Sequence, residues 1–293
     1  MKPAALISVS NKKDIVTFAR SLFQNGFEIL STGGTASYLK DHDIPHKEVA
    51  VYTEEKELFS GRVKTLHPKI HGGILFDRMD FHHRQEAVEN EIQAIDIVVV
   101  NFYPFSEKAI DQSLSLDEAI NFIDIGGPCL LRAAAKNWKN CLPVCEPSDY
   151  PKLIQHIQYQ KIDNHFRKTL AQKVFSKTAS YDHMINEYFE KKLQIDAKKE
   201  DLPEVIHLSL KKTESMRYGE NPDQKAALYQ IESQVSQNDC ESFTLLHGKQ
   251  LSYNNFLDLN SACQIVQELN LEPTIAIVKH TNPCGVAQHP VKP

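Results

Sequence analysis

Apolar and polar positions along the first half of the chain fall into two alternating kinds of block. ALISVS at 5–10 and FEILS at 27–31 are short β-rich runs. The first is followed by Ile15, Phe18, Ala19, Leu22 and Phe23 at helical spacing, with Gly26 as the stop. The second is followed by the turn STGGT and a helix over ASYLKDHD. IDIVVVNF at 95–102 is a nearly continuous apolar run, the pattern of a central parallel strand covered on both faces. SLDEAINF has a serine cap and an acidic first turn. GGPCLLRAAAKNW opens a further helix, with Pro128 suited to its first position. LPVC at 142–145 is a last short strand. Strands alternating with helices predict an α/β fold, a three-layer sandwich around a parallel sheet.

From Tyr150 to Lys192 the pattern is mostly helical. QIDAKKEDLPE at 194–204 is charged, holds a proline and lacks an apolar period, which marks a linker. The expected domains are therefore 1–195 and 196–293. Beyond the linker, VIHLSLKK reads as β, FLDLNSACQIVQELN as a helix and TIAIVKH at 274–280 as a buried strand. About ninety residues is small for an α/β domain, so the second unit reads as incomplete.

Composition narrows the class. The 293 residues are 41% hydrophobic and 24% charged, with a formal net charge of −5. That fits a folded globular protein and disfavours nonspecific nucleic-acid binding. No apolar run is long enough to span a bilayer, and AALISV near the start reads as a strand, not a signal peptide. The six cysteines form no C-x-x-C pair, so reduced thiols in a cytoplasmic protein are expected.

Against the acidic background, GRVKTLHPKIHGG at 61–73 stands out, with Arg62, Lys64 and Lys69. An anionic small molecule is its natural partner. Ligands of parallel α/β sheets sit beyond the carboxyl ends of the strands. The residues expected there are Ser10-Asn11-Lys12, Thr32-Gly33-Gly34-Thr35, Asn101-Phe102-Tyr103-Pro104 and Asp124-Ile125-Gly126-Gly127. STGGT before a helix suits a phosphate, through backbone N–H groups and the helix dipole; a plain tight turn is the alternative. Arg132 and Lys136 share a helix face, which would lower a lysine pKa, and Asp124, just before the same helix, is read as a carboxylate base lying near these cations. Two solvated cations are the plainer account. His67 and His71 have metal-ligand spacing but lack the glutamate of H-E-x-x-H, and Pro68 argues against a helix interior, so local packing or hydrogen bonding is expected. RYGENP at 217–222 and KHTNPCG at 279–285 are turn-rich; His280 after Lys279 is a candidate base or a structural turn.

SVSNK, STGGTA, GRVKTLHPKIHGG, NFYPF, IDIGGPCLLRAAAKN, RYGENP and KHTNPCG run in order along the chain. Together they resemble the bifunctional purine-biosynthesis enzymes that combine AICAR formyltransferase with IMP cyclohydrolase. The resemblance implies a methylglyoxal-synthase-like sandwich, followed by the start of a cytidine-deaminase-like α/β transformylase domain. It implies closure of formyl-AICAR to IMP without a metal or other cofactor, 10-formyltetrahydrofolate as donor for the transferase step, purine ribonucleotide ligands and a homodimer. Nucleotide contacts then fall on Ser10, Asn11, Lys12, Thr32, Gly33, Gly34, Thr35, Arg62, Val63, Lys64, Thr65, Asn101, Asp124, Ile125 and Gly126. Lys136 matches the proton-transfer lysine, and Lys64 and Tyr103 match further cyclisation residues. In the second domain Arg217, Tyr218 and Asn255 match nucleotide-binding positions, and Lys279 with His280 the formyl-transfer pair. Asp223 departs from the usual Asn-Pro-His-Gln, and the family's second domain continues far beyond the KH element, so the expectation is either a fragment of a longer product or an inactive transformylase half. One rival reading is a phosphate- or nucleotide-sensing module without turnover, which would not need Asp124, Tyr103 and Lys136; a second is a methylglyoxal synthase, which would not explain the second-domain motifs.

Overall fold

The apolar runs of the first half assemble into one parallel sheet. In the computed structural model, which describes residues 2–59, 63–102, 105, 108, 114–193, 208–231, 245–269 and 272–289, the strands are β1 (Ala4–Val9), β2 (Glu28–Ser31), β3 (Lys47–Glu48), β4 (Ile95–Asn101) and β5 (Leu142–Val144). Their order is β3-β2-β1-β4-β5, and every neighbouring pair is parallel. The central strands match the expected ones. The edge strand β3 has no apolar signature, being only Lys47 and Glu48.

Alternation along β1 builds the layers. Ala5, Ile7 and Val9 pack on one face with Ile15, Phe18 and Leu22 of α1 (Ile15–Gln24), Leu39 of α2 (Gly33–Lys40) and Leu153 of α8 (Tyr150–Gln158). Leu6, with Leu30, Val98 and Val100, packs on the other. Its partners are Val49 of α3 (Val49–Thr53), Ile70 and Ile74 of α4 (Pro68–Leu75), and Leu130 and Leu131 of α7 (Gly126–Lys136). Each such fully buried aliphatic side chain contributes about 1.5–3 kcal/mol. The helix after Asp124 begins at Gly126, so Pro128 still falls in a first turn whose N–H groups have no intrahelical acceptor.

The helical stretch after Tyr150 is two helices, α8 and the long α9 (Asn164–Leu193). Phe166 and Leu170 of α9 join the first core, Ala171 and Val174 the second, so α9 covers the edge strand β5. Farther along, Tyr181 and Tyr188 form a third cluster with Phe105 and Ala119. Among the described residues this half also has the helices α5 (Phe81–Glu89) and the short α6 (Leu116–Ala119).

The chain divides into two compact units, Met1–Asp196 and Ala197–Pro293. In the second, β6 (Leu210–Ser215) pairs antiparallel with β7 (Ala227–Ile231). Helix α10 (Tyr253–Glu268) is followed by a hairpin of β8 (Thr274–Lys279) and β9 (Asn282–Gln288). The expectation of a buried strand at 274–280 is corrected here. The strand exists, but Ile275 and Ile277 are 69% and 63% exposed, because burial alternates along β8 and only one of its faces is covered. NPCG, read as a turn, lies within β9. Among the described residues, no helix is long and apolar enough to cross a membrane. Cys129, Cys141, Cys145, Cys263 and Cys284 are free thiols, with Cys284 exposed; Cys240 lies outside the described residues. Burial pushes the Cys141 thiol up and that of Cys145 to about 11.

Candidate active site

Because the strands are parallel, β1, β2 and β4 all deliver their carboxyl ends to one rim. Asn101 closes β4 and fastens the β1 loop there. Its Oδ1 accepts from Ser10 N (2.7 Å), Ser10 Oγ (2.8 Å) and Asn11 N (2.9 Å), and its Nδ2 donates to Asn11 O (3.2 Å). Ser10 Oγ also lies 2.7 Å from Phe102 O. Asn101 and Ser10 thus hold the loop that carries Lys12.

Lys12 turns inward. Its Nζ donates to Val9 O and, at 3.0 Å, to Thr35 Oγ1. Thr35 Oγ1 in turn accepts from Val9 N and donates to Val9 O, both at 3.0 Å. Burial holds the Lys12 pKa below the usual lysine value. An ammonium has three donors, so these partners leave a third for an anion.

The turn Thr32-Gly33-Gly34-Thr35 starts α2. Gly33 has φ +53°, a left-handed conformation in which a side chain would be strained. A Cβ there would also stand 3.0 Å from Lys64 Nζ, so Lys64 lies directly over the turn. Gly34 faces open space. Helix N-terminus, Lys12 and Lys64 gather positive potential at this turn, the electrostatics that suit a negatively charged group. Glu57 joins it: Oε1 accepts from Thr32 Oγ1 at 3.2 Å, and Oε2 lies 3.7 Å from Lys64 Nζ. Val63, just before Lys64, forms a two-way backbone bridge with Leu58, which folds this segment back on itself.

Thr65 reaches the next helix. A Cβ on Gly126 would lie 3.1 Å from Thr65 Oγ1. Asp124 sits just ahead of α7, where Oδ1 accepts from Gly127 N at 2.9 Å. Its own N–H donates to Tyr181 OH at 2.8 Å. Tyr181 is 6% exposed on α9, and burial raises its pKa. Ile125 beside it is 58% exposed, an apolar surface at the same rim. Lys64 and Thr65 therefore tie the α2 turn to the start of α7. Asp124 is anchored there twice, once through its carboxylate and once through its backbone N–H.

Lys136 does not join this cluster within one chain. It is exposed at the last position of α7, ten residues from Gly126, or about 15 Å of helix. Its neighbour Asn137 donates to Ile74 O (2.7 Å) and Phe76 O (3.1 Å), and β5 starts beyond the following turn. This is the rim where strands begin. The expectation that Asp124 lies near Arg132 and Lys136 is corrected accordingly: the helix axis carries them away from its own N-terminus. Arg132 instead lies over the Phe175 ring, 5.7 Å from its centroid. Arg62 and Tyr103 lie outside the described residues.

The histidines of the basic stretch act locally. His67 caps α4, its Nδ1 accepting from Lys69 N at 3.1 Å, with Pro68 at the first position. His71 Nε2 is buried without a hydrogen-bond partner, and burial lowers its pKa. Among the described residues no group of three His, Cys, Asp or Glu side chains is arranged for a metal ion.

In the second unit, Asn255 forms a capping box with Ser252 at the start of α10: Ser252 N donates to Asn255 Oδ1 at 3.0 Å. Arg217 covers the Tyr218 ring at 4.7 Å and donates to its hydroxyl at 2.9 Å, which lowers the Tyr218 pKa. His280 and Thr281 have φ of +51° and +62° and form the two-residue turn between β8 and β9. Thr281 N donates to Asp258 Oδ1 at 2.7 Å, which ties that turn to α10. Lys279 and His280 are both exposed.

Two residues of the first site carry no motif signal. Tyr181 stands fifty-seven positions from Asp124 within a regular helix, and Glu57 sits in a run of acidic and basic residues. No spacing rule points to either.

An MGS-like domain model matches residues 14–129, and an AICARFT/IMPCHase bienzyme model matches residues 134–292. The chain is 47% identical to the bifunctional purine biosynthesis protein PurH of Anoxybacillus flavithermus, over 98% of this chain and 55% of that protein. It is 46% identical to PurH of Thermoanaerobacter sp., again over 98% of this chain and 55% of the relative. The chain thus spans about half the length of the curated relatives it matches. A solved structure titled "Crystal structure of ForH" superposes with a TM-score of 0.59 at 29% identity, covering 65% of this chain and 98% of that one. With one family model over more than half of its residues and close relatives along nearly all of them, the chain belongs to the AICARFT/IMPCHase bienzyme family.

Proposed function

We propose that the first unit closes formyl-AICAR into inosine monophosphate (IMP) with loss of water. The observation that supports this reading is the junction at Lys64 and Thr65. Adjacent residues stand over the starts of two helices, one with the features of an anion-binding turn and the other carrying an anchored carboxylate. A nucleotide laid across that rim has its phosphate at Thr32–Thr35 and Lys12, and its reactive groups at Asp124 and Ile125.

Ring closure joins two groups of one molecule, so holding the folded conformer supplies part of the rate. The carboxamide nitrogen attacks the formyl carbon, and Asp124 takes the N–H proton as the bond forms. Asp124 is suited to this because Gly127 and Tyr181 fix its position. Negative charge develops on the formyl oxygen, and backbone N–H groups at the start of α7 balance it, while Lys64 stays with the phosphate over the Gly33 turn. The oxyanion then leaves as water by taking up two protons, one the proton held by Asp124 and one through a further donor, while the former formamide nitrogen gives up its own N–H as the ring double bond forms. The family resemblance gives that step to Lys136 with Tyr103; Lys136 lies about 15 Å along α7 from the Asp124 end, and Tyr103 lies outside the described residues.

The test is to incubate the chain with formyl-AICAR and follow IMP by absorbance. Turnover above the uncatalysed rate supports the reading. IMP binding without turnover favours the sensing module instead.

For the second unit we infer the family's other chemistry, formyl transfer from 10-formyltetrahydrofolate to AICAR, as an activity of longer relatives. In this chain Lys279 ends β8 and His280 lies in the β8–β9 turn. The same assay with AICAR and 10-formyltetrahydrofolate is expected to show little or no turnover. A cytoplasmic location and a homodimer complete the proposal; light scattering on the purified chain tests the dimer.

A further inference from the structure

Glu57 lies outside every motif, yet its carboxylate faces the anion-binding turn. One oxygen takes the Thr32 hydroxyl at 3.2 Å and the other lies 3.7 Å from Lys64 Nζ. Thr32 is 8% exposed and immediately precedes α2, and Lys64 stands over Gly33. A single carboxylate therefore spans two of the donors that an anion entering at this helix start must use. The Lys64 and Glu57 side chains are 36% and 39% exposed, so their pair sits at the mouth of the site. Such a pair is weakly held and exchanges readily for a more highly charged partner.

We propose that Glu57 is a positioning residue of this site: it holds Lys64 over the Gly33 turn and competes with the ligand's anionic group for Lys64 and Thr32. The inference rests on the nucleotide reading of the first unit. The competition selects on charge. A phosphate approaching a charge of −2 displaces a carboxylate from an ammonium and a hydroxyl, whereas a neutral nucleoside gains nothing there.

Two consequences separate this role from a merely structural one. Glu57→Gln keeps an acceptor for Thr32 but removes the charge, so IMP binds more tightly, by about fivefold, equivalent to ~1 kcal/mol. Lys64 is then less firmly placed, so kcat for cyclisation falls while KM falls too.

The experiment is calorimetric titration of IMP into the wild-type chain, Glu57→Gln, Glu57→Asp, Lys64→Ala and the Glu57→Gln/Lys64→Ala double variant, with melting temperatures alongside. Expected are tighter binding for Glu57→Gln, a return toward the wild-type value for Glu57→Asp, and little effect of Glu57→Gln once Lys64 is gone. Unchanged or weaker IMP binding by a folded Glu57→Gln chain overturns the inference while leaving the nucleotide reading intact. If Glu57→Gln does not fold, the role is structural and the inference falls. Failure of the wild-type chain to bind IMP removes the nucleotide reading, and this inference with it.

Discussion

Replacing Gly127 with alanine tests how tightly the start of α7 is built around Asp124. Within a helix, alanine is favoured over glycine by up to about 1 kcal/mol, so on propensity alone the variant should be the more stable. The surroundings reverse the sign. The added Cβ would lie 2.5 Å from Asp124 Oδ2 and 3.0 Å from Val100 Cγ1. Val100 is 2% exposed on a central strand and cannot retreat. Overpacking of this kind costs about 1–3 kcal/mol. If Asp124 swings aside, its bond to Gly127 N–H is lost, and loss of a helix cap costs about 1 kcal/mol more. The net expectation is a destabilisation of about 1–3 kcal/mol, or a fall in melting temperature of roughly 3–10 °C for a unit of this size. Circular dichroism melts of Gly127→Ala and wild type measure it, and IMP titration of the same samples reads the position of Asp124. A variant that melts at or above the wild-type temperature refutes the steric reasoning. A variant that melts lower yet binds IMP normally refutes the placement of Asp124 at the ligand.

Gly34→Ala meets no atom within 4 Å, so it should stabilise α2 by about 0.5–1 kcal/mol; if backbone at this turn must approach a phosphate, the same variant binds IMP at least several-fold more weakly, and unchanged affinity would move the phosphate elsewhere. Burial lowers the Lys12 pKa, whereas a bound phosphate favours the ammonium. IMP affinity is therefore full below the depressed value and falls by up to about tenfold per pH unit above it, a decline that Lys12→Arg should flatten in titrations across alkaline pH. The stability contribution of Lys12 runs the opposite way: its buried ammonium costs the fold below the depressed value, and that cost is relieved as pH rises toward the unfolded-chain pKa. Lys136→Ala should bind IMP as the wild type does, because about 15 Å of helix lies between it and the α7 start; a large loss of affinity by calorimetry would put Lys136 at the nucleotide.

Much of the first unit was legible because its signals are local. The continuous apolar run at 95–102 is the pattern a two-sided strand requires, and β4 is buried on both faces. The α1 stripe of Ile15, Phe18, Ala19 and Leu22 is the buried face of that helix. The rim residues were legible for a related reason: in a parallel sheet, the loops at the carboxyl ends of all the strands must emerge on the same side. Reading Asp124 and Lys136 as neighbours failed because proximity in sequence was taken for proximity in space along a rigid rod. Reading 274–280 as a buried strand failed because an apolar run of that length does not say how many of its faces are covered.

The chain's own pattern was sufficient for the α/β class, the central strands, the glycine turn that starts α2 and the loops bearing Lys12, Lys64 and Asp124, since each is dictated by periodicity, glycine placement or strand direction. Only tertiary packing decided that Lys64 sits over Gly33, that Tyr181 and Gly127 anchor Asp124, that Glu57 faces Lys64 and Thr32, and that Lys136 ends up at the opposite rim. The Lys64–Gly33, Tyr181–Asp124 and Glu57–Thr32 contacts join segments tens of residues apart, and their distances are set by how helices pack on a shared sheet, which no local spacing encodes.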